Sequence, residues 1–291
     1  MTDTMTRPRA HAAVQELAGV EALDAPAKAL GKAIRNLIGP GKVKDALSGT
    51  WLGHAVHPVL TDIPIGTFTS ALLLDWLGGR DSRDAADRLI GLGLLGALPT
   101  VVTGYAEWAD SEVGDEEVRR IGVVHAATNA TAATLMAASW VARKRGDRGR
   151  GRLLALAGGA TLSAGAYLGG HLTLAEGVGV DHDTFEPPHE EWADALADAE
   201  LAEGQTRCVD VDGTPVLVAR AGGEVHALSN RCVHRGGPLH EGEIDGLTVT
   251  CPWHASVFDL RDGALIHGPA AYPQPTWDTR VRDGRIEVRR R

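Results

Sequence analysis

Between residues 57 and 173 the chain alternates long apolar runs with short charged connectors. Four runs stand out, Val59–Leu77, Leu89–Ala106, Ile121–Val141 and Leu153–Leu172, each close to the ~20 residues an α-helix needs to cross a bilayer core. Buried helices of a soluble bundle are the alternative, but four such runs in succession leave few polar residues to cover them. The pattern therefore predicts four transmembrane helices. Val59–Leu77 is the poorest of them, because Asp62 and Asp75 interrupt it; the last two runs carry no acidic or basic side chain. Residues 1–52 are polar, contain Pro8, Pro26 and Pro40, and show no cleavable signal peptide. Within them Leu30, Ile34, Leu37 and Ile38 recur at helical spacing, with Lys28, Lys32 and Arg35 on another face. Such a helix either lies on a membrane surface or packs against the protein.

Composition sharpens this division. A chain of 291 residues is longer than one typical domain requires. Its mean hydropathy of -0.09 is that of a soluble protein and averages two unlike halves. The net charge of -9 and a pI near 5.7 argue against nucleic acid as a partner. Only three Cys are present, Cys208, Cys232 and Cys251, too few for a disulfide framework.

Two of those Cys carry the chemistry. Cys232-Val-His234 and Cys251-Pro-Trp-His254 each offer one thiolate and one imidazole, with sixteen residues between the pairs. Iron–sulfur clusters are held by four thiolates unless two His replace two Cys on one iron, a change that raises the potential. Zinc is a weaker reading, since its usual sites pair Cys with Cys and His with His. A Cys232–Cys251 disulfide would leave both His unexplained. His226 and His240 lie nearby without matching the pattern and are expected at the surface.

With Gly236-Gly237-Pro238-Leu239, Phe258-Asp259-Leu260 and Gly268-Pro269-Ala270 around these pairs, the last hundred residues resemble a ferredoxin-type Rieske [2Fe–2S] domain. The resemblance implies a small all-β fold in which Cys232 and Cys251 bind the buried iron and His234 and His254 the outer one. Ser256 occupies the position of a Ser that raises the potential in respiratory members. Phe258 stands where those members have a Tyr, and Trp253 where they have a disulfide partner. Two of three potential-raising features are thus missing, which places the expected potential toward the lower end of the roughly −150 to +300 mV Rieske range. Ala255, where Gly commonly follows the second His, is expected at an ordinary φ.

His57-Pro58-Val59-Leu60, Ile63-Pro64-Ile65-Gly66, Gly169-Gly170-His171-Leu172 and Gly177-Val178-Gly179-Val180 resemble a bacterial membrane domain of unknown function (domain of unknown function 2231). The fold class expected is multidomain: an all-α four-helix transmembrane bundle followed by a small all-β Rieske domain. The expected boundaries are 1–52 for a polar, amphipathic segment, 53–180 for the membrane domain, 181–193 for a linker and 194–291 for the Rieske domain. Four antiparallel spans collect His54, His57, Glu107, Asp110, His125 and His171 on one face, where the Rieske domain also leaves the bilayer. Ionisable residues at that depth are functional candidates. His57, His125 and His171 are candidate haem b ligands or quinone contacts, pairing as His57 with His125 or His125 with His171; solvated or capping His is the plainer alternative.

Arg80, Arg83 and Arg88, then Arg143 to Arg152, crowd the opposite connectors, and the positive-inside tendency would place the Rieske domain outside. Against this, a folded cluster domain crosses a membrane by a twin-arginine signal, and Arg119-Arg120, the one adjacent pair before a span, precedes the third span. The cytoplasmic face of a bacterial plasma membrane is the expectation, for a multi-pass protein in the lipid bilayer. The function expected is a membrane-anchored one-electron carrier serving redox proteins or quinone, an electron-transfer component rather than a stand-alone catalyst. The alternatives are a redox sensor, and a ferredoxin component of an oxygenase or quinone/haem-linked reductase. An oxygenase in this chain alone is disfavoured, as the chain ends soon after the Rieske fold closes.

Overall fold

A computed structural model describes residues 9–290. The chain forms two compact units, one of Met1–Ile38 with Val56–Val178 and one of Gly39–Ala55 with Gly179–Arg291.

The first unit is helical. After α1 (Arg9–Ala18) and α2 (Asp24–Leu37), and separated from them by α3 (Lys42–Ser48) of the second unit, come four long helices: α4 (Val56–Leu77), α5 (Arg83–Ser111), α6 (Glu116–Lys144) and α7 (Arg148–Leu174). Their ends follow from local chemistry. The Asp115 carboxylate accepts from the Glu117 and Val118 amides at 2.7 and 3.0 Å to cap α6, and Glu116 opens while Arg143 and Lys144 close that helix, matching its dipole. Asp147 caps α7 through the Arg150 amide at 3.0 Å. Pro64 lies inside α4 and has no amide to give the Leu60 carbonyl. Thr100 of α5 donates to that carbonyl at 3.1 Å, so a side chain of a neighbouring helix satisfies the freed group.

All four predicted runs are helices, and three helical stretches (Arg80–Ser111, Glu116–Lys144 and Arg148–Leu174) are long and apolar enough to cross a membrane. α4, with Asp62 and Asp75, falls short of them. The inside of the bundle is small. A Cβ on Gly93 or Gly96 would stand 2.4 and 2.5 Å from Phe68 and Ile63, so α4 and α5 approach backbone to side chain. Phe68, Ile90 and Met136 fill its core, while Leu92, Leu95 and Leu98 point outward and are more than half exposed.

α1 and α2 pack on this bundle. Val14 and Ala18 join Ile121 and Leu168 in a buried cluster. On α2 the buried residues are Ala27 and Gly31, and Arg35 donates to Glu112 at 2.6 Å. Of the two readings left open by the sequence, packing holds for this face, while Leu30 and Leu37 of the apolar stripe stay exposed.

In the second unit, six strands form one antiparallel sheet in the order β1 (His189–Ala197), β10 (Arg285–Arg290), β9 (Thr276–Arg282), β4 (Glu224–Ser229), β3 (Thr214–Ala221), β2 (Thr206–Val211). A second sheet holds β5 (Glu243–Asp245), β6 (Thr248–Thr250), β7 (Val257–Asp259) and β8 (Leu265–His267) in sequence order. Alternation on β3 and β4 sends Leu217, Ala219 and Leu228 into one core, with Val249, Phe258 and Leu260 of the small sheet. Val216, Val218 and Ala227 enter another, with Trp277, Ile286 and Val288.

Candidate metal centre and the membrane histidines

The first Cys–His pair lies on the loop between β4 and β5, the second on the tight connection between β6 and β7. The two loops are built alike. Gly236 donates its amide to the Cys232 carbonyl at 2.7 Å, and Ala255 donates to the Cys251 carbonyl at 3.1 Å, each closing a turn four residues after its Cys. Both donors take a left-handed conformation, Gly236 at φ +76° and Ala255 at φ +62°. The expectation of an ordinary φ at Ala255 is therefore corrected: the turn geometry requires the left-handed region, and Ala adopts it at a steric cost.

The turns bring all four candidate ligands together. Cys232 and Cys251 are buried and hydrogen-bond each other. The His234 and His254 rings are 5.0 Å apart and nearly perpendicular. Backbone amides of His234 and Arg235 point at the Cys232 sulfur, those of Trp253 and His254 at the Cys251 sulfur. The hydrogen bond from Cys232, with these amides, holds the Cys251 thiol down to about 7, so the pair gives up a proton readily. Burial, with the charges of Arg235, His254 and Lys44, keeps His234 neutral and able to donate a lone pair. A two-iron cluster asks for two donors per iron, and the two loops offer two thiols and two imidazoles. The donor set thus fits a Rieske cluster, and the three Cys are free thiols.

Ser256 is fully buried and accepts from the Ala270 amide at 3.0 Å, which leaves its own proton to donate. Phe258 is fully buried beside the loops, and Trp253 is half exposed, its ring edge-on to His254 at 6.3 Å. A Cβ on Gly237 would lie 2.9 Å from the Cys251 sulfur, so only Gly lets the first loop cross the second here. His226, expected at the surface, is buried with its Nε2 3.2 Å from the Ala221 carbonyl; His240 is half-buried against Asn230 at 3.0 Å. Both rings have structural partners and neither joins the cluster of ligands.

Gln274 was not visible as a site residue, though its position between Pro273 and Pro275 is unusual for a buried amide. It accepts from the Val233 amide at 3.0 Å and donates to the Ser229 and Arg231 carbonyls at 2.8 and 2.7 Å, fixing the first loop from behind. It also donates to Asp183 at 3.1 Å. Burial and the neighbouring carboxylates of Glu186 and Asp181 push Asp183 up to about 8 despite Arg290. Asp183 Oδ1 and Glu186 Oε1 have no hydrogen-bond partner among the described residues.

In the helical unit the three highlighted His separate. His57 Nδ1 is 2.9 Å from the Thr100 carbonyl and its ring faces Gly104, where a Cβ would come within 2.6 Å. His125 Nδ1 is 2.9 Å from the Gly165 carbonyl and its ring faces Gly169, at 2.9 Å. The two are equivalents: a His on the first helix of each pair, a carbonyl on the second, and a Gly four residues beyond it. Each carbonyl fixes the tautomer and leaves Nε2 as the acceptor, as second partners of ligating His do. His171 is placed otherwise, with Nε2 3.0 Å from Glu176 and its ring 5.6 Å from His11. His54 lies in the second unit, edge-on to Tyr272 at 6.4 Å.

Comparison with known proteins agrees with this division. A family described as Rieske [2Fe-2S] domain matches residues 191–278, and one described as Predicted membrane protein (DUF2231) matches 53–182. The 3-phenylpropionate/cinnamic acid dioxygenase ferredoxin subunit of Escherichia coli is 36% identical over 92 residues, 31% of this chain and 85% of that protein. The ferredoxin component of the naphthalene 1,2-dioxygenase system of Pseudomonas aeruginosa is 28% identical over 99 residues, 34% of this chain and 95% of that protein. Among solved structures, the ferredoxin of carbazole 1,9a-dioxygenase from Nocardioides aromaticivorans is 32% identical, covering 35% of this chain and all of its own, with a TM-score of 0.34.

Proposed function

This chain belongs to the Rieske [2Fe–2S] family through its C-terminal domain, and on that premise we propose that it is a membrane-anchored one-electron carrier serving a redox protein partner. A [2Fe–2S] cluster supplies the one-electron couple. Cys232 and Cys251 hold it from the buried side, His234 and His254 from the outer side, and the loop amides and Ser256 offer hydrogen bonds to sulfur. The observation that carries the reading is the convergence of both Cys–His loops into twin turns. Relatives of matching length are ferredoxin components of dioxygenase systems, which favours a protein partner. Outward Leu and inward Gly on the long helices favour a bilayer around them.

The cytoplasmic face is our assignment for the cluster. Arg119 and Arg120, the pair that could have served as an export signal, are buried in ion pairs with Glu112 and Asp24 at 3.0 and 2.8 Å. A second role, a haem b or quinone contact at His57 and His125, is favoured by their equivalent settings.

Purification in detergent with optical and reduced-state EPR spectra tests the reading. The expected result is a Rieske signal that His254→Ala abolishes while the helical unit stays folded; an unchanged signal refutes the ligand set. A b-type Soret band in the same sample would mean a second redox centre, and its loss in His57→Ala and in His125→Ala would assign haem to that pair. With Phe258 in place of a Tyr hydroxyl and no disulfide between the loops among the described residues, a redox titration should give a midpoint well below about +200 mV, in the lower part of the Rieske range.

A further inference from the structure

The four long helices are one helix pair used twice. α4 with α5 and α6 with α7 carry their buried positions in the same register. A shift of 68 residues brings α4 onto α6, and the four buried positions of α4 all fall on buried ones: Pro64 on Ala132, Phe68 on Met136, Ala71 on Ser139 and Asp75 on Arg143. A shift of 65 brings α5 onto α7, whose six buried positions, from Gly151 to His171, all coincide with buried positions of α5, from Ala86 to Ala106. The same shifts carry His57 to His125, and its α5 neighbours Thr100 and Gly104 to Gly165 and Gly169. Helices joined by such short connectors run alternately up and down. Two successive pairs of that kind are related by a pseudo-two-fold axis along the bundle.

One end of that axis is marked by an ion pair. Asp75 and Arg143, equivalents under the repeat, bind each other across it. His57 comes 18 residues before Asp75, and His125 comes 18 before Arg143. Eighteen residues are five turns, about 27 Å, and return an α-helix to the same face. His57 therefore shares the face of Asp75, and His125 that of Arg143. The register survives Pro64, since Phe68 and Ala71 beyond it stay buried. The two imidazoles thus face each other across the axis, five turns from the ion pair. Their common depth follows independently from the α5–α6 contact. His57 lies against Gly104; one turn along α5, Trp108 lies against Gly122, and His125 follows three residues later on the returning helix.

Both rings are set for a Lewis acid. A carbonyl oxygen only accepts, so Nδ1 of each neutral imidazole carries the proton and Nε2 the lone pair. Asn129 Nδ2 stands 3.3 and 3.4 Å from the two ring nitrogens of His125, but its shorter hydrogen bond, 2.9 Å, goes to the His125 carbonyl. A quinone oxygen is itself an acceptor and gains nothing from a lone pair. A bare divalent ion takes four or more donors, and the residues one turn on, Thr61 and Asn129, carry no charge. Iron in a porphyrin already has its four nitrogens and lacks two axial donors on opposite sides, which facing helices of a bundle can supply. We propose that His57 and His125 are the two axial ligands of a single haem b on the pseudo-two-fold axis, so that the helical unit is a cytochrome module and more than an anchor. This rests on the second role given above for the pair and commits it to one ligand held by two equivalent halves.

The test uses full-length protein in detergent, prepared free of haem and titrated with hemin. One hemin should bind per chain and give a six-coordinate, low-spin spectrum. His57→Ala and His125→Ala should each leave a five-coordinate, high-spin iron, bound about tenfold more weakly, as losses around a metal site do. Added imidazole should restore the low-spin form in both. Helical circular dichroism shows whether each bundle has formed. If Ala unfolds it, His57→Met and His125→Met, which keep an axial donor, carry the comparison through a changed low-spin spectrum. Hemin dissolved in micelles only, without a stoichiometric end point, overturns the proposal. So does a response to one His and not the other. A stoichiometric quinone extracted from protein that refuses hemin would keep the second role and assign the pair to quinone. The Rieske EPR signal is read in the same samples. Its absence in the unsubstituted protein would sink the electron-carrier reading, whereas a normal signal without hemin binding would sink only the haem site.

Discussion

The two units solve opposite packing problems. In the cluster domain the largest side chains are inside: Phe258, Leu217, Leu228, Leu239, Leu260 and Ile286 are essentially unexposed, as expected where water surrounds the fold and apolar burial drives it. In the helical unit Phe68, Ile90, Ile121 and Met136 are buried too, but among many Ala and Gly, and Leu92, Leu95, Leu98 and Leu153 face out. On the proposed membrane-spanning reading, lipid tails are as apolar as Leu and little is gained by burying every Leu; close backbone approach and polar contacts then add to the apolar cores in specifying the bundle. Polar residues therefore mean different things in the two halves. Inside the bundle they join helices; inside the cluster domain they set two short loops.

The sharpest way to break this comparison is to remove one polar joint of the bundle. Asp75 and Arg143 are paired with no side-chain exposure, and Asp87 and Arg148 complete the network at 3.0 Å. Asp75→Asn should leave Arg143 with one carboxylate instead of two and cost about 3 kcal/mol, the lower end for a broken buried pair. Detergent unfolding followed by helical circular dichroism would show the loss, and the Rieske EPR signal should stay as it was. A bundle that tolerated this change would mean that apolar packing, not the network, holds these helix ends.

An effect that depends on pH is expected in the cluster domain. Asp183 is raised from an ordinary carboxylate value to about 8 by burial and by Glu186. Its folded form binds a proton that the unfolded chain releases near pH 4, so its contribution to stability is full below that pH and is lost as the pH rises to about 8. The slope is at most about 1.4 kcal/mol per pH unit. Asp183→Asn keeps an amide beside Gln274 and Glu186 but cannot ionise. Thermal unfolding of the cluster domain should then be flatter between pH 4 and 8 than in the unsubstituted protein. An equal slope in both would remove Asp183 from the account of how the first loop is held.

What the sequence made legible follows the same divide. The long helices were readable from their extended apolar runs, and the meeting of the two Cys–His loops from the short spacing within each pair. The contacts of Asp45 and Thr50 were not: these residues lie more than 200 positions from their partners Gly268 and Ala270. α2 misled in a similar way: Leu30 and Leu37 of its apolar stripe are exposed, and its small residues Ala27 and Gly31 make the contact because Glu112 and Arg35 meet across them. The Gln274 bridge had no pattern to betray it, since its partners are backbone groups of residues 229, 231 and 233.

Ala255 shows where a local expectation fails for a reason that can be measured. Its amide closes the Cys251 turn just as Gly236 closes the Cys232 turn, and both turns demand positive φ. Gly meets that demand freely, whereas an L-residue with a Cβ is strained there. Ala255→Gly should relieve the strain and stabilise the cluster domain by about 1 kcal/mol, offset in part by the added freedom of Gly in the unfolded chain. The helical unit should not respond at all. If the domain is instead destabilised, the Ala255 methyl group must contribute packing beside Trp253 and His254 that outweighs its backbone strain.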